Sequence, residues 1–340
     1  MSVPKVTPAQ FIDFLIATPA HATAMEAQRR QPDTSAPAAH DAYTRLLHRL
    51  EPDSEALWTE VQPDVRRTSG VLVLHDSVLD KPYARKMDLV HHTWSGKHHR
   101  VVKGIDLLTL LWTDGDRHLP CDDRPSPRDD RIDDKPNDGQ TKNGHFGDLL
   151  RVAQDRGFSP ECVLFDGWYS SLKNLKRLQT LGWPWLTRLK SNRRVNPDRT
   201  GLRAVSACDI AASGTVVHLE GYGLVKVFRI VAKDGTTAHW ATSNLELDEL
   251  DRLRLADASW RIEEYHRGLE TGDERGTLPV PQGGCPARPH RTGVAGVSRC
   301  VPSREDVAPI LRSTVGVSGT RRSDWQPASS ADRRSRLPPW

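Results

Sequence analysis

The spacing of apolar positions changes several times along the chain, and each change predicts a different kind of element. Up to about residue 66 they recur at helical spacing, in Phe11-Ile12-Asp13-Phe14-Leu15-Ile16-Ala17 and again in His40-Asp41-Ala42-Tyr43-Thr44-Arg45-Leu46-Leu47. The polar break Arg29-Arg30-Gln31-Pro32-Asp33-Thr34 separates them, so residues 1–66 read as a small helical domain. From Val71 the pattern turns to strands: Val71-Leu72-Val73-Leu74-His75 stops at Asp76, and an extended apolar segment runs from Arg100 to Leu111. Thr113-Asp114-Gly115-Asp116 then supplies turn chemistry, and antiparallel pairing is expected. Residues 122–139, dense in Asp, Arg and Pro, predict a solvated loop.

Farther on, Phe146, Leu149, Leu150 and Ala153 predict a helix over 146–155 that Gly157 is placed to end. A strand over Cys162 to Asp166, a helix over Ser171 to Leu181 ended by Gly182, and a strand over Trp185 to Leu189 follow. Helices between apolar strands imply crossover connections and a partly parallel sheet. Residues 214–243 alternate, as in Val225-Lys226-Val227-Phe228-Arg229-Ile230, and read as a β-rich insertion. A helix from about Leu245 to Leu255 runs on through Trp260, Ile262, Tyr265 and Leu269. The expected division is a first catalytic part over 67–195, the insertion over 196–245 and a closing helix over 246–270. Beyond it, residues 271–340 lose Lys entirely, gain Arg, Pro and Gly, and keep no period. They read as a disordered basic tail or, because the change falls in mid-helix without a cap, as coding sequence out of frame after about Glu270; the second reading is favoured.

Composition narrows this little. A chain of 340 residues builds a core without disulfide support, and a net charge of +4 permits a nucleic-acid partner without demanding one. Five cysteines without a C-x-x-C spacing are expected to be reduced thiols in a cytoplasmic protein. The segment from Phe11 imitates a signal peptide, but Asp13 interrupts its apolar core and an amphipathic helix is expected instead. No apolar run approaches the roughly 20 residues of a membrane span, so no membrane partner is expected.

The candidate chemistry lies in three acids. Asp76 and Asp166 each end an apolar run, as a buried strand would deliver a carboxylate to the carboxyl edge of a sheet, and Glu263 sits on a helical pattern. Phosphodiester cleavage needs an in-line nucleophile and charge compensation on both sides of the phosphorus, which two Mg²⁺ ions roughly 3.5 to 4 Å apart supply. Mg²⁺ takes a few carboxylates plus water and substrate oxygens, so three acids on adjacent elements suffice. Each acid also has a plainer reading, a strand-end turn cap for Asp76 and Asp166 and a solvated helix charge for Glu263.

The stretches Leu74-His75-Asp76-Ser77-Val78-Leu79-Asp80-Lys81-Pro82, Phe165-Asp166-Gly167-Trp168-Tyr169 and Trp260-Arg261-Ile262-Glu263-Glu264-Tyr265-His266 resemble the motifs of the DDE transposases of bacterial insertion sequences. The likeness is to the cut-and-paste group with a Y-R-E-K-type third motif, and it spans roughly residues 10–270. It implies an α/β fold: an RNase H-like mixed sheet with helices on both faces, a β-rich insertion before the last acid and a small helical N-terminal domain. It implies that Asp76, Asp166 and Glu263 hold Mg²⁺, for which Mn²⁺ substitutes, and that a DNA-assembled homodimer cleaves double-stranded DNA at the element's ends and joins them to target DNA. In that family a basic residue follows the catalytic Glu by seven positions and holds a phosphate; here that position is Glu270, and Arg267 one turn earlier is the substitute.

Arg188, Lys190, Arg193 and Arg194 would form a basic strip for phosphates, or an ordinary solvated strand end. Trp240 looks like the family's base-stacking Trp, or a core Trp in a strand. The run from His91 to His99 tempts a zinc assignment, but a solvated hairpin or DNA-facing loop accounts for it better. The competing reading of the whole is a catalytically impaired remnant that only binds DNA.

Overall fold

The computed structural model describes residues 4–17, 23–31, 37–49, 54–84, 89–125 and 140–273. The helices α1 (Pro8–Ala17), α2 (Ala24–Arg29) and α3 (His40–Arg49) bury Phe11, Leu15, Ala27, Tyr43 and Leu46 in a small core of their own. A fourth helix, α4 (Ser54–Val61), instead packs Leu57, Trp58 and Val61 into the core under the main sheet. The helical stretch expected over 1–66 therefore divides between two cores.

The sheet contains β1 (Val71–Asp80), β2 (His91–Ser95), β3 (Arg100–Thr113), β4 (His118–Pro125), β5 (Cys162–Phe165) and β6 (Trp185–Leu189). Strands β4, β3 and β1 pair antiparallel, with Val71 opposite Thr113 and Asp80 opposite Gly104. Strands β1, β5 and β6 pair parallel, through the crossovers α5 (Lys142–Asp155) and α6 (Leu172–Leu181). The order β4-β3-β1-β5-β6, three antiparallel strands followed by two parallel additions, is that of an RNase H-like sheet, with β2 an extra edge strand.

Both helices end where the glycines said they would: Gly157 (φ 78°) and Gly182 (φ 69°) take the left-handed conformation that other residues resist. One face of the sheet carries Leu72, Leu74, Leu108 and Leu110 against Phe146 and Leu149 of α5 and Leu175 of α6. The other carries Val71, Val73 and Leu186 against Leu255 and Ile262 of α7 (Glu249–Asp273). Burying each such side chain contributes about 1.5–3 kcal/mol, so both layers are held to the sheet by burial on alternate strand positions.

Three expectations change. Strand β1 does not stop at Asp76 but runs to Asp80, because its pairing with β3 continues past the acid. Residues 122–125 are not loop but the end of β4, with Asp122 and Asp123 buried; Arg124 at 3.1 Å and Arg156 at 3.9 Å compensate Asp122. Residues 126–139 lie outside the described residues. The β-rich insertion, β7 (Arg194–Asn196), β8 (Arg203–Ala204), β9 (Thr215–Leu219), β10 (Gly223–Val231) and β11 (Thr237–Thr242), extends the same sheet, since β11 pairs antiparallel with β6. Helix α7 continues to Asp273, and the tail expected from 271 lies, after that residue, outside the described residues. Among the described residues no helix is long and apolar enough to cross a membrane, and Cys121, Cys162 and Cys208 are free and buried.

Candidate active site

The parallel register of β1 and β5 places Leu74 beside Phe165. One residue farther on each strand come His75 and Asp166, and Asp76 follows at once. The two acids that sequence singled out thus reach the carboxyl edge of the parallel pair together. Alternation on β1 turns Asp76 toward the face of Leu72 and Leu74 and turns His75 toward α7.

Asp166 ends β5 and caps the short 3₁₀ turn Gly167–Tyr169, its Oδ1 accepting from the Gly167 N–H at 2.5 Å. Gly167 has to be glycine, because a Cβ there would lie 2.9 Å from the Arg188 carbonyl oxygen of β6. The turn is fixed from below: Thr187 Oγ1 donates to the Phe165 carbonyl at 2.7 Å, and Asn174 Nδ2 to the Tyr169 carbonyl at 2.9 Å. Tyr169 stacks on Phe146 of α5, centroids 5.0 Å apart, and its hydroxyl donates to Asp76 Oδ1 at 2.9 Å.

The other oxygen of Asp76 meets Lys142, the first residue of α5, at 2.7 Å. The same ammonium contacts Asp106 of β3, which lies on the same face two positions along and is 1 % exposed. Burial raises the Asp76 carboxyl, but the Lys142 and His75 charges and the Lys142 and Tyr169 hydrogen bonds outweigh it and hold its pKa below the usual range. For Asp106 burial wins, with the Asp76 charge adding to it, and the carboxyl is pushed up to about 6. Burial also pushes up the Tyr169 phenol, so it stays a donor at neutral pH.

Glu263 projects from α7 on the opposite face of β1. Its Oε1 lies 3.1 Å from His75 Nε2, and the carboxylate is 37 % exposed. His266, one turn on, is fully buried with Nε2 at 3.0 Å from Thr109 Oγ1, and burial pushes its pKa down to about 3. Among the described residues no three His, Cys, Asp or Glu side chains are gathered closely enough to hold a metal as they stand. Each of the three carboxylates already has a partner: Lys142 and Tyr169 at Asp76, the Gly167 N–H at Asp166, and His75 at Glu263. The donors on offer are hard carboxylate oxygens, and a lysine ammonium already rests between two of them, so the space beside Asp76 suits a hard cation.

Of the expected basic strip, Arg188 near the end of β6 and Lys190 just past it are exposed. Arg193 is half-buried in the following turn, and Arg194 is drawn to Glu220 at 3.7 Å. Trp240 is 8 % exposed, in the core against Phe228, with the Arg188 guanidinium over its ring at 5.2 Å, the environment of a core Trp in a strand. Trp168, next to Asp166, is 58 % exposed with Lys190 Nζ 5.1 Å from its ring centroid. The His91 run forms a hairpin of β2 and β3, with His98 Nε2 2.6 Å from Asp80. The side chains of Arg267 and Glu270 lie outside the described residues.

Sequence reasoning missed Lys142, Asp106, Tyr169 and Trp168 as site residues. The signal for Asp106 was an acid inside the apolar run from Arg100 to Leu111; Lys142 carried none, since only the fold brings α5 to β1.

Residues 13–207 match the family model described as DDE superfamily endonuclease. No curated protein sequence matches the chain. Among solved structures, the piggyBac transposase synaptic complex with hairpin DNA is similar at 12% identity and a TM-score of 0.45, over 71% of this chain and 51% of that one. The Drosophila P element transposase strand transfer complex follows at 10% identity and a TM-score of 0.30, over 54% and 37%. The chain spans about half the length of the piggyBac chain it matches.

Proposed function

The chain belongs to the DDE superfamily endonuclease family, and we propose that it is a transposase that cleaves DNA at the ends of an insertion sequence and transfers them to target DNA. The observation that carries this reading is the arrival of Asp76 and Asp166 at neighbouring positions on the carboxyl edge of β1 and β5, with the Glu263 helix packed across β1.

Asp76, Asp166 and Glu263 would hold the divalent ions, Mg²⁺ or Mn²⁺ in its place. When bound, these supply charge compensation and activate the attacking oxygen in phosphoryl transfer. Tyr169 fixes the Asp76 carboxylate in orientation through its hydroxyl. His75 holds Glu263 beside β1 until the site assembles. Arg188 and Lys190 face outward next to Asp166, where they would grip backbone phosphates of double-stranded DNA. Trp168 offers a flat exposed ring beside the same acid for an unpaired base. Paired cleavage of two ends makes a homodimer assembled on DNA the expected working form.

A second reading is supported by one observation, that Glu263 is bonded to His75 and not turned toward Asp76: a remnant that binds DNA without cutting it. Incubation with supercoiled plasmid carrying candidate ends, with Mg²⁺ or Mn²⁺, separates the two. The transposase reading expects metal-dependent nicking that Asp76→Ala abolishes while DNA retardation persists. Retardation without cleavage under either ion would establish the remnant, and cleavage that survives Asp76→Ala would remove the site.

A further inference from the structure

The ammonium of Lys142 rests where a cation would rest. It touches Asp76 Oδ2 at 2.7 Å and also contacts the buried Asp106. Both Asp106 oxygens are sealed from solvent, and the Lys142 ion pair, with the Thr93 hydroxyl beside it, offsets its charge. Two carboxylates on one face of adjacent strands, one of them nearly solvent-free, would repel strongly without a cation between them. Lysine suits a temporary occupant: its charge is compact, its four-carbon stem is flexible, and here its side chain is 30 % exposed and so has a way out to water. Helix α5 holds the base of that stem, with Thr141 Oγ1 capping through Gly144 N at 3.2 Å.

We propose that Lys142 is a tethered cation that holds the place beside Asp76 in the metal-free protein and competes with the divalent ion, which enters only as Lys142 swings out. The inference rests on the proposed reading of Asp76 as a metal ligand. Lys142 is then a positioning residue: it keeps Asp76 and Asp106 apart from bulk water and from one another's charge, and it sets a threshold for metal entry. Asp106, unused by the three-acid description, becomes the buried carboxylate that draws the lysine back when the metal leaves.

The test is Mn²⁺ binding, followed by the electron paramagnetic resonance signal of free Mn²⁺, without DNA. The proteins compared are wild type, Lys142→Met, Lys142→Met/Asp106→Asn and Asp76→Asn. The double variant removes one positive and one negative charge together and keeps the fold testable if Lys142→Met alone unfolds. Loss of the competing charge is expected to tighten Mn²⁺ binding on the order of tenfold in either lysine variant. In wild type, Mn²⁺ is also expected to raise the rate at which Lys142 is reductively methylated, read by mass spectrometry. Unchanged or weaker Mn²⁺ binding in the lysine variants, with Asp76→Asn still abolishing it, overturns the inference and leaves the metal site standing. Mn²⁺ binding unaffected by Asp76→Asn, or absent from every protein, overturns both.

Discussion

Two pairs of carboxylates are sunk in the same sheet, and they are built differently. Asp122 and Asp123 at the end of β4 are closed in by guanidinium groups, with Arg124 at 3.1 Å and Arg156 at 3.9 Å from Asp122. Arg156 is itself locked: it donates to the Cys121 carbonyl at 2.7 Å, pairs with Glu55 at 2.9 Å and lies 4.8 Å above the Trp58 ring. Asp76 and Asp106 share one lysine ammonium, and Asp76 opens toward Asp166 at the sheet edge. A planar guanidinium held from several sides is a permanent partner, whereas an ammonium on a flexible stem is replaceable. Burial of acids thus does not distinguish a site from a structural cluster; the mobility of the compensating charge does.

The contrast is broken most sharply by neutralising one acid at the proposed site and one in the β4 cluster. Asp166→Asn is expected to lower metal-dependent DNA cleavage by roughly a thousandfold or more while leaving thermal unfolding near wild type, because the residue is exposed at a strand end. Asp122→Asn should do the reverse, lowering the unfolding temperature but leaving cleavage per folded molecule unchanged. Equal loss of cleavage in both would erase the distinction.

Next in size, Arg156→Met leaves the buried Asp122 with Arg124 alone and removes the guanidinium over Trp58. It should cost about 2–3 kcal/mol in urea unfolding. A cost below about 1 kcal/mol would show that the β4 cluster is no more fixed than the one at Asp76.

A smaller effect concerns the contact between α7 and the sheet. His266 is neutral when folded, with a pKa of about 3, against about 6.5 when unfolded. Its contribution is therefore complete above pH 6.5 and is lost as pH falls toward 3. Between pH 6.5 and 5 wild type should lose about 2 kcal/mol more than His266→Gln; Asp106 and Asp123, raised to about 6 and about 7, act in the opposite sense but equally in both proteins. Parallel pH profiles would mean that His266 is protonated in place.

The smallest effect expected is on DNA. Trp168→Ala should weaken binding of DNA with unpaired bases at its end by about 1–2 kcal/mol and leave fully paired duplex unaffected, measured by fluorescence anisotropy. Equal weakening of both would assign Trp168 to general packing.

Much of the framework was legible because it depends on local pattern. The apolar runs before Asp76 and Asp166 predicted two strands, and Gly157 and Gly182 marked the ends of the helices on either side of β5. Asp122 and Asp123 read as loop because their compensation comes from Arg156, far along the chain and visible only in three dimensions. Lys142 was illegible for the same reason. Trp240 and Trp168 could not be told apart by type; strand pairing buried the first, and the tight turn forced by Gly167 exposed the second.

The central claim is that a divalent ion binds at Asp76, Asp166 and Glu263. Fe²⁺ in place of Mg²⁺, with peroxide and ascorbate, generates hydroxyl radicals that cut the backbone beside the ion, and mass spectrometry of the fragments reads the position. The account predicts cuts around residues 75–77, 165–167 and 262–264, suppressed by excess Mg²⁺ and lost in Asp76→Asn. Cuts confined to other segments, such as β4 at Asp122 and Asp123, or a pattern unchanged by Asp76→Asn, would contradict it.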